Sequence, residues 1–104
     1  MPERLPDCPV ARTAMILGSR WTAQIVGELL EHETRRFQDL QETLSGIAPT
    51  TLSARLKMLE ASDVAERVFY ADHPPRAAYR LTEKGRQMAG IIGAMRSWGR
   101  RWGA

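Results

Sequence analysis

Few residues in this chain could do chemistry. Cys8 is the only cysteine, set directly before Pro9, and His32 and His73 are the only histidines. One thiol excludes an internal disulfide framework and any multi-thiolate metal site, and two separated imidazoles make no metal cluster. No nucleophile–base–acid set is evident, and no glycine-rich phosphate loop. The chain is therefore expected not to be an enzyme and to need no metal or cofactor. A thiol at the opening of a helix feels the positive end of the helix dipole, which favours the nucleophilic anion. Cys8 is on that ground a candidate redox sensor, with a buried, inert thiol as the ordinary alternative.

The other chemistry on offer is cationic. Lys plus Arg is 15 against 12 for Asp plus Glu, a net charge of +3, and every basic residue except Lys57 and Lys84 is arginine. The planar arginine fork suits phosphates and base edges better than the point charge of lysine. A mild positive excess permits an acidic partner without requiring one.

Positioning these groups falls to elements legible from spacing. A length of 104 residues allows one domain, taken here as 1–104. No apolar run approaches the ~20 residues of a membrane span, and the start, Met1-Pro2-Glu3-Arg4, lacks the features of a signal peptide, so a cytoplasmic location is expected. Pro9 opens a first helix that carries Val10, Thr13, Ala14 and Leu17 on one face and stops at Gly18. A second follows Ser19 with Trp21, Ile25, Val26 and Leu29 at 3–4 spacing. Arg35-Arg36-Phe37 is a short extended piece before a third helix carrying Phe37, Leu40, Gln41 and Leu44, which ends at Ser45-Gly46. The fourth runs from near Pro49 to about Ser62 with Leu52, Leu56 and Leu59 as one stripe. Val64–Tyr70 and Ala77–Leu81 read as two strands of a hairpin joined by a turn over Ala71–Arg76, which contains Pro74 and Pro75. Thr82 then caps a long last helix, about 83–102. Trp21, Phe37, Leu40, Leu52, Leu56, Leu59, Tyr79 and Leu81 are the expected core. The fold class is mainly α with a small β-hairpin, a winged helix-turn-helix that dimerises through its terminal helices.

In that frame two segments gather the polar groups. With its leucines inward, the fourth helix turns Thr50, Ala54, Lys57 and Ala61 to the opposite face, flanked by Thr51 and Ser53. A small polar face with one cation can approach base edges in a major groove, whereas bulky or acidic side chains would hold it off. A solvated helix face is the plain alternative. The turn Asp72-His73-Pro74-Pro75-Arg76 makes a stiff tip, and an arginine there can enter a narrow minor groove. Arg80 reads outward from the returning strand, and with Arg35 and Arg36 is assigned to the DNA backbone. His73, at the tip, joins the candidate DNA-binding set.

The last helix carries Met88, Ile91, Met95, Trp98 and Trp102 at alternating 3 and 4 spacing, with Ile92 beside them, a heptad-type seam. Packing on its own domain is one reading. A homodimer interface completed by the first helix is the preferred one, because two tryptophans near a C-terminus would otherwise lie exposed.

These residues also carry a family resemblance. Cys8-Pro9, Arg20-Trp21-Thr22, Arg35-Arg36-Phe37-Gln38-Asp39-Leu40, Gly46-Ile47, Leu52-Ser53-Ala54-Arg55-Leu56, Glu66-Arg67, Pro74-Pro75-Arg76 and Tyr79-Arg80-Leu81-Thr82-Glu83-Lys84-Gly85 occur in order. Together, from about Cys8 to Trp98, they resemble the HxlR-type winged-helix transcriptional regulators. The resemblance implies a homodimer joined through the first and last helices and bound to a roughly palindromic double-stranded operator. It implies the fourth helix in the major groove and the wing in the minor groove. It also implies, for some relatives, sensing of oxidants or electrophiles through a cysteine at the place of Cys8. Three positions depart from the family pattern: Ala48 replaces a capping serine, Asp63 a glycine, and Ala78 a glutamate. The expected function is a dimeric, sequence-specific DNA-binding regulator, a repressor, responsive to oxidants or electrophiles through Cys8. The alternatives are a regulator with a small apolar effector at the dimer interface, and a winged-helix protein-interaction adapter.

Overall fold

A computed structural model describes residues 6–103; the N-terminal residues read above for targeting lie outside them. The elements are α1 (Pro9–Leu17), α2 (Thr22–Glu31), β1 (Arg35–Arg36), α3 (Phe37–Thr43), α4 (Pro49–Ala61), β2 (Ala65–Asp72), β3 (Pro75–Leu81), α5 (Glu83–Arg86) and α6 (Ala89–Trp102). Helix-turn-helix and wing follow one another as the spacing predicts. Leu52, Leu56 and Leu59 of α4 are buried beside Ile25, Val26 and Leu29 of α2, Leu40 of α3, Ile47, Val64 and Leu81. Each such side chain contributes roughly 1.5–3 kcal/mol on leaving water. Trp21, Phe37 and Tyr79, expected in the core, are only partly buried and pack against it.

The ends of α4 are set by backbone chemistry. Ala48 caps its start without a side-chain hydrogen bond, and Pro49 at the first position supplies a preset φ instead. Gly46, in the turn before it, has φ 91°, the left-handed conformation glycine tolerates. At the far end Asp63 adopts φ 59°, in place of the family glycine. Its N–H donates to the Glu60 carbonyl at 3.0 Å, and that of Val64 donates to the Leu59 carbonyl at 2.9 Å. This pair of bonds closes the last turn and turns the chain into β2.

Several expectations need correction. The hairpin is part of a three-stranded antiparallel sheet of order β1-β3-β2, because Arg35 and Arg36 pair with Tyr79 and Ala78. The strands also run further out than two prolines suggested. Asp72 pairs with Pro75 at the last rung, where a missing N–H costs little, and only His73 and Pro74 remain in the turn. A bulge between Phe69 and Ala71 shifts the register along the wing.

The long last helix is two. Thr82 caps only α5, its hydroxyl accepting from the Gly85 N–H at 3.1 Å, and the chain bends through Gln87 and Met88 before α6. A side chain at position 85 would collide with the Val64 carbonyl and Leu81, so α5 is held hard against the start of β2. Among the described residues nothing lies near Gly90, Gly93 or Gly99, so within the chain no helix makes the close approach their lack of side chains would allow.

Candidate nucleic-acid interface

The outer face of α4 matches the spacing argument. Thr50, Ala54, Lys57 and Ala61 are exposed, and Thr51 and Ser53 are half-buried at its flanks. Lys57 pairs with no acid among the described residues. On the wing, His73 and Arg76 are exposed, Arg76 sits opposite Ala71, and it too lacks an acidic partner among the described residues.

The other arginines assigned to the backbone are occupied. Arg35 is only 23% exposed; its guanidinium donates to Glu28 Oε1 at 3.2 Å and to the Thr43 hydroxyl at 3.0 Å. It ties α2, β1 and α3 together and is not free for a phosphate. Arg36 is exposed but chelated by Asp39, with Nε to Oδ2 at 3.2 Å and its own backbone N–H to the same oxygen at 3.0 Å. These hydrogen bonds hold the Asp39 carboxyl below its ordinary range and raise the Arg36 guanidinium, which Tyr70 also supports. Arg80 points outward, as expected, yet pairs with Glu66 at 3.5 Å. That pair lies on the sheet face away from α4, because alternation gives the α4 side to Arg67 and Tyr79. Arg67 Nε reaches Glu60 of α4 at 3.3 Å. Burial and the nearby Glu60 charge push the Tyr79 phenol up, with Arg67 opposing.

The heptad seam divides. Met88 and Ile92 are 7% and 5% exposed and belong to the chain's own core, since the bend before α6 turns them inward. Ile91, Met95, Trp98 and Trp102 face outward, the two tryptophans 66% and 64% exposed. Between α1 and α6 runs an apolar groove of about 450 Å³ lined by Pro9, Val10, Thr13, Leu17, Ile91 and Met95. Cys8 is exposed at the start of α1 in the single chain rather than buried. Its carbonyl accepts the Arg12 N–H at 3.0 Å, while its thiol makes no capping bond.

Spacing alone missed several features. His32 lies with Glu28 and Glu31 in a cluster whose ligand atoms fall within 4.8 Å, but Arg35 holds Glu28 and Arg96 holds Glu31 at 3.5 Å. Phe69 and Tyr70 are exposed aromatics on the wing, with the Arg67 guanidinium 5.8 Å from the Phe69 ring centre. Arg55 of α4 donates through Nε to the Arg20 carbonyl at 2.9 Å, across 35 residues of chain. No local pattern announces a bond of that separation.

The chain is similar to known regulators along nearly its whole length. It matches the HxlR-like helix-turn-helix family over residues 16–104. It is 38% identical over 96 residues to an uncharacterized HTH-type transcriptional regulator, YvaP of Bacillus subtilis, covering 91% of this chain and 88% of that protein. The reduced form of the transcriptional regulator YodB from B. subtilis superposes with a TM-score of 0.76 at 32% identity, over 93% of this chain and 95% of that one. The redox regulator HypR in its oxidized form superposes with a TM-score of 0.83 at 30% identity, over 90% and 96%. The family is one of DNA-binding helix-turn-helix transcriptional regulators and not of enzymes, and the two solved structures share this chain's overall fold. The chain belongs to the HxlR-like helix-turn-helix family of transcriptional regulators.

Proposed function

We propose that this chain is a homodimeric, sequence-specific DNA-binding repressor of the cytoplasm. Two copies present α4 to successive major grooves and the wing tips to the adjoining minor grooves, with half-sites one helical turn, about 34–36 Å, apart. The observation that carries this reading is the α4 face of Thr50, Ala54, Lys57 and Ala61, small, exposed and free of acid. An adapter that docked a protein here would want an apolar patch instead, which this face lacks. Thr50, Thr51, Ser53, Ala54 and Lys57 approach base edges and nearby phosphates. Arg76 and His73 serve the minor groove. Arg36 and Arg80 reach the backbone only at the expense of Asp39 and Glu66, and Arg35 acts as a clamp.

The partner copy covers Ile91, Met95, Trp98 and Trp102 of α6 together with Val10 and Met15 of α1, all exposed in the single chain. Cys8 makes the regulator responsive to oxidants or electrophiles. Its exposure beside Pro9 and Val10, which line the α1–α6 groove, supports this reading, as does the likeness to a redox regulator. The apolar lining of that groove favours a second reading, in which a small apolar effector lodges there. Blocking the Cys8 thiol separates the two, because release of DNA on modification is expected only of the first.

Selection of duplexes from a random pool tests the main reading. A pair of inverted half-sites at one-turn spacing is expected. Recovery of no preferred sequence would overturn it.

A further inference from the structure

Apolar packing says that α4 is held down but not how far it is rolled about its own axis. Leu52, Leu56 and Leu59 meet a core of similar aliphatic side chains, and such contacts are non-directional. Hydrogen bonds and ion pairs are directional, and α4 has one on each flank. At about 100° per residue, Arg55 lies roughly 70° to one side of the leucine stripe and Glu60 roughly 70° to the other. Arg55 Nε donates to the Arg20 carbonyl at 2.9 Å, and Glu60 Oε2 meets Arg67 Nε of β2 at 3.3 Å.

Both anchors are stiff. Arg20 belongs to the α1–α2 corner, where Trp21 is held at φ 80°, a conformation bulky residues rarely adopt. Its guanidinium lies 4.8 Å from the Trp21 ring centre, the Trp21 carbonyl accepts the Ile25 N–H at 2.9 Å, and Thr22 is fully buried. The Arg20 carbonyl precedes the helix and is spared from its ladder, so it is available to Arg55. On the other side Arg67 lies in the stretch of β2, Ala65 to Phe69, that pairs without interruption with β3. A partly exposed ion pair adds little stability, so what these bonds supply is direction.

We infer that Arg55 and Glu60 are positioning residues that set the roll of the recognition helix between the α1–α2 corner and the wing. They decide thereby that Thr50, Ala54, Lys57 and Ala61, rather than neighbours one step around, meet the bases. This rests on the sequence-specific reading above.

The test uses the full chain, the duplex it selects from a random pool, and a shuffled duplex of equal composition. Arg55→Met keeps an unbranched apolar stem, shorter than that of arginine, and removes the donors. It is expected to weaken binding to the selected duplex about tenfold, the scale of one misaligned base contact. Affinity for the shuffled duplex and the slope of log affinity against log salt should stay as in the wild type. Arg55→Lys should recover part of the loss, and Glu60→Gln should show a smaller loss of the same selective kind. Equal weakening on both duplexes with a flatter salt slope would make Arg55 a phosphate contact and overturn the inference. So would unchanged affinity for the selected duplex. If Arg55→Met fails to fold, Arg55→Lys and Glu60→Gln carry the same comparison. If the wild type selects nothing, the function reading fails first and the inference falls with it.

Discussion

Replacing Arg76 by alanine is the sharpest test of how the wing meets DNA, because the structure separates it from its neighbours. A cation that neutralises one phosphate releases condensed counterions and adds about 0.9 to the slope of log affinity against log salt. Arg76 is exposed with no acid within ion-pair distance among the described residues, so it can contribute that full increment. Arg80 spends its charge on Glu66 at 3.5 Å, and Arg35 on Glu28 at 3.2 Å. Their removal should flatten the slope much less. Across a fourfold rise in salt, 50 to 200 mM, Arg76→Ala should therefore lose about 3.5-fold less affinity than the wild type. Fluorescence-anisotropy titrations on one duplex at several salt concentrations measure this directly. A slope unchanged in Arg76→Ala would refute the wing assignment. An equal flattening in Arg80→Ala would refute the claim that internal pairing decides which arginines serve the DNA.

The divided seam on α6 predicts two different phenotypes. Trp98→Glu puts a charge on the exposed stripe and should leave the fold intact while abolishing the proposed dimer. A light-scattering mass still equal to two copies would count against it. Ile92→Ala, by contrast, empties a core position and should cost about 2–5 kcal/mol in denaturant unfolding. Near-wild-type stability there would return Ile92 to the interface. Asp39→Asn tests the clamp on Arg36. Because the folded carboxyl is held below its ordinary value of about 3.9, its stabilisation is present above that pH and lost as pH falls through the lowered value. The stability gap between wild type and variant should thus hold at neutral pH and close under acid. A gap that widens on acidification would show that Asp39 is not so held.

Sequence alone went far here because periodicity and turn chemistry are local. The leucine stripe of α4 implied its outward side without coordinates, since a helix with one apolar side buries that side and turns the opposite one to solvent, within some latitude of roll. Gly46 is the residue type that suits a left-handed stop, and it adopts one; at Asp63, which stands in place of a family glycine, the structure was needed to show that the left-handed conformation is kept. Other features depended on partners far away in the chain. Whether an arginine is free or paired depends on which acid the fold brings to it, so Arg35, Arg36 and Arg80 looked alike until Glu28, Asp39 and Glu66 were placed. The heptad seam was ambiguous for a related reason. A periodic stripe reports that a face is apolar, not what covers it, and only the bend at Met88 assigned Met88 and Ile92 to this chain's own core. The pairing of the extended Arg35-Arg36 piece with β3 and the bond from Arg55 to Arg20 were invisible for the same cause, being made between residues no local rule connects. Residue order was enough for the helices and the turn chemistry that ends them. Tertiary structure alone decided which charges and apolar side chains remain unspent, because pairing and burial are settled by distance in space.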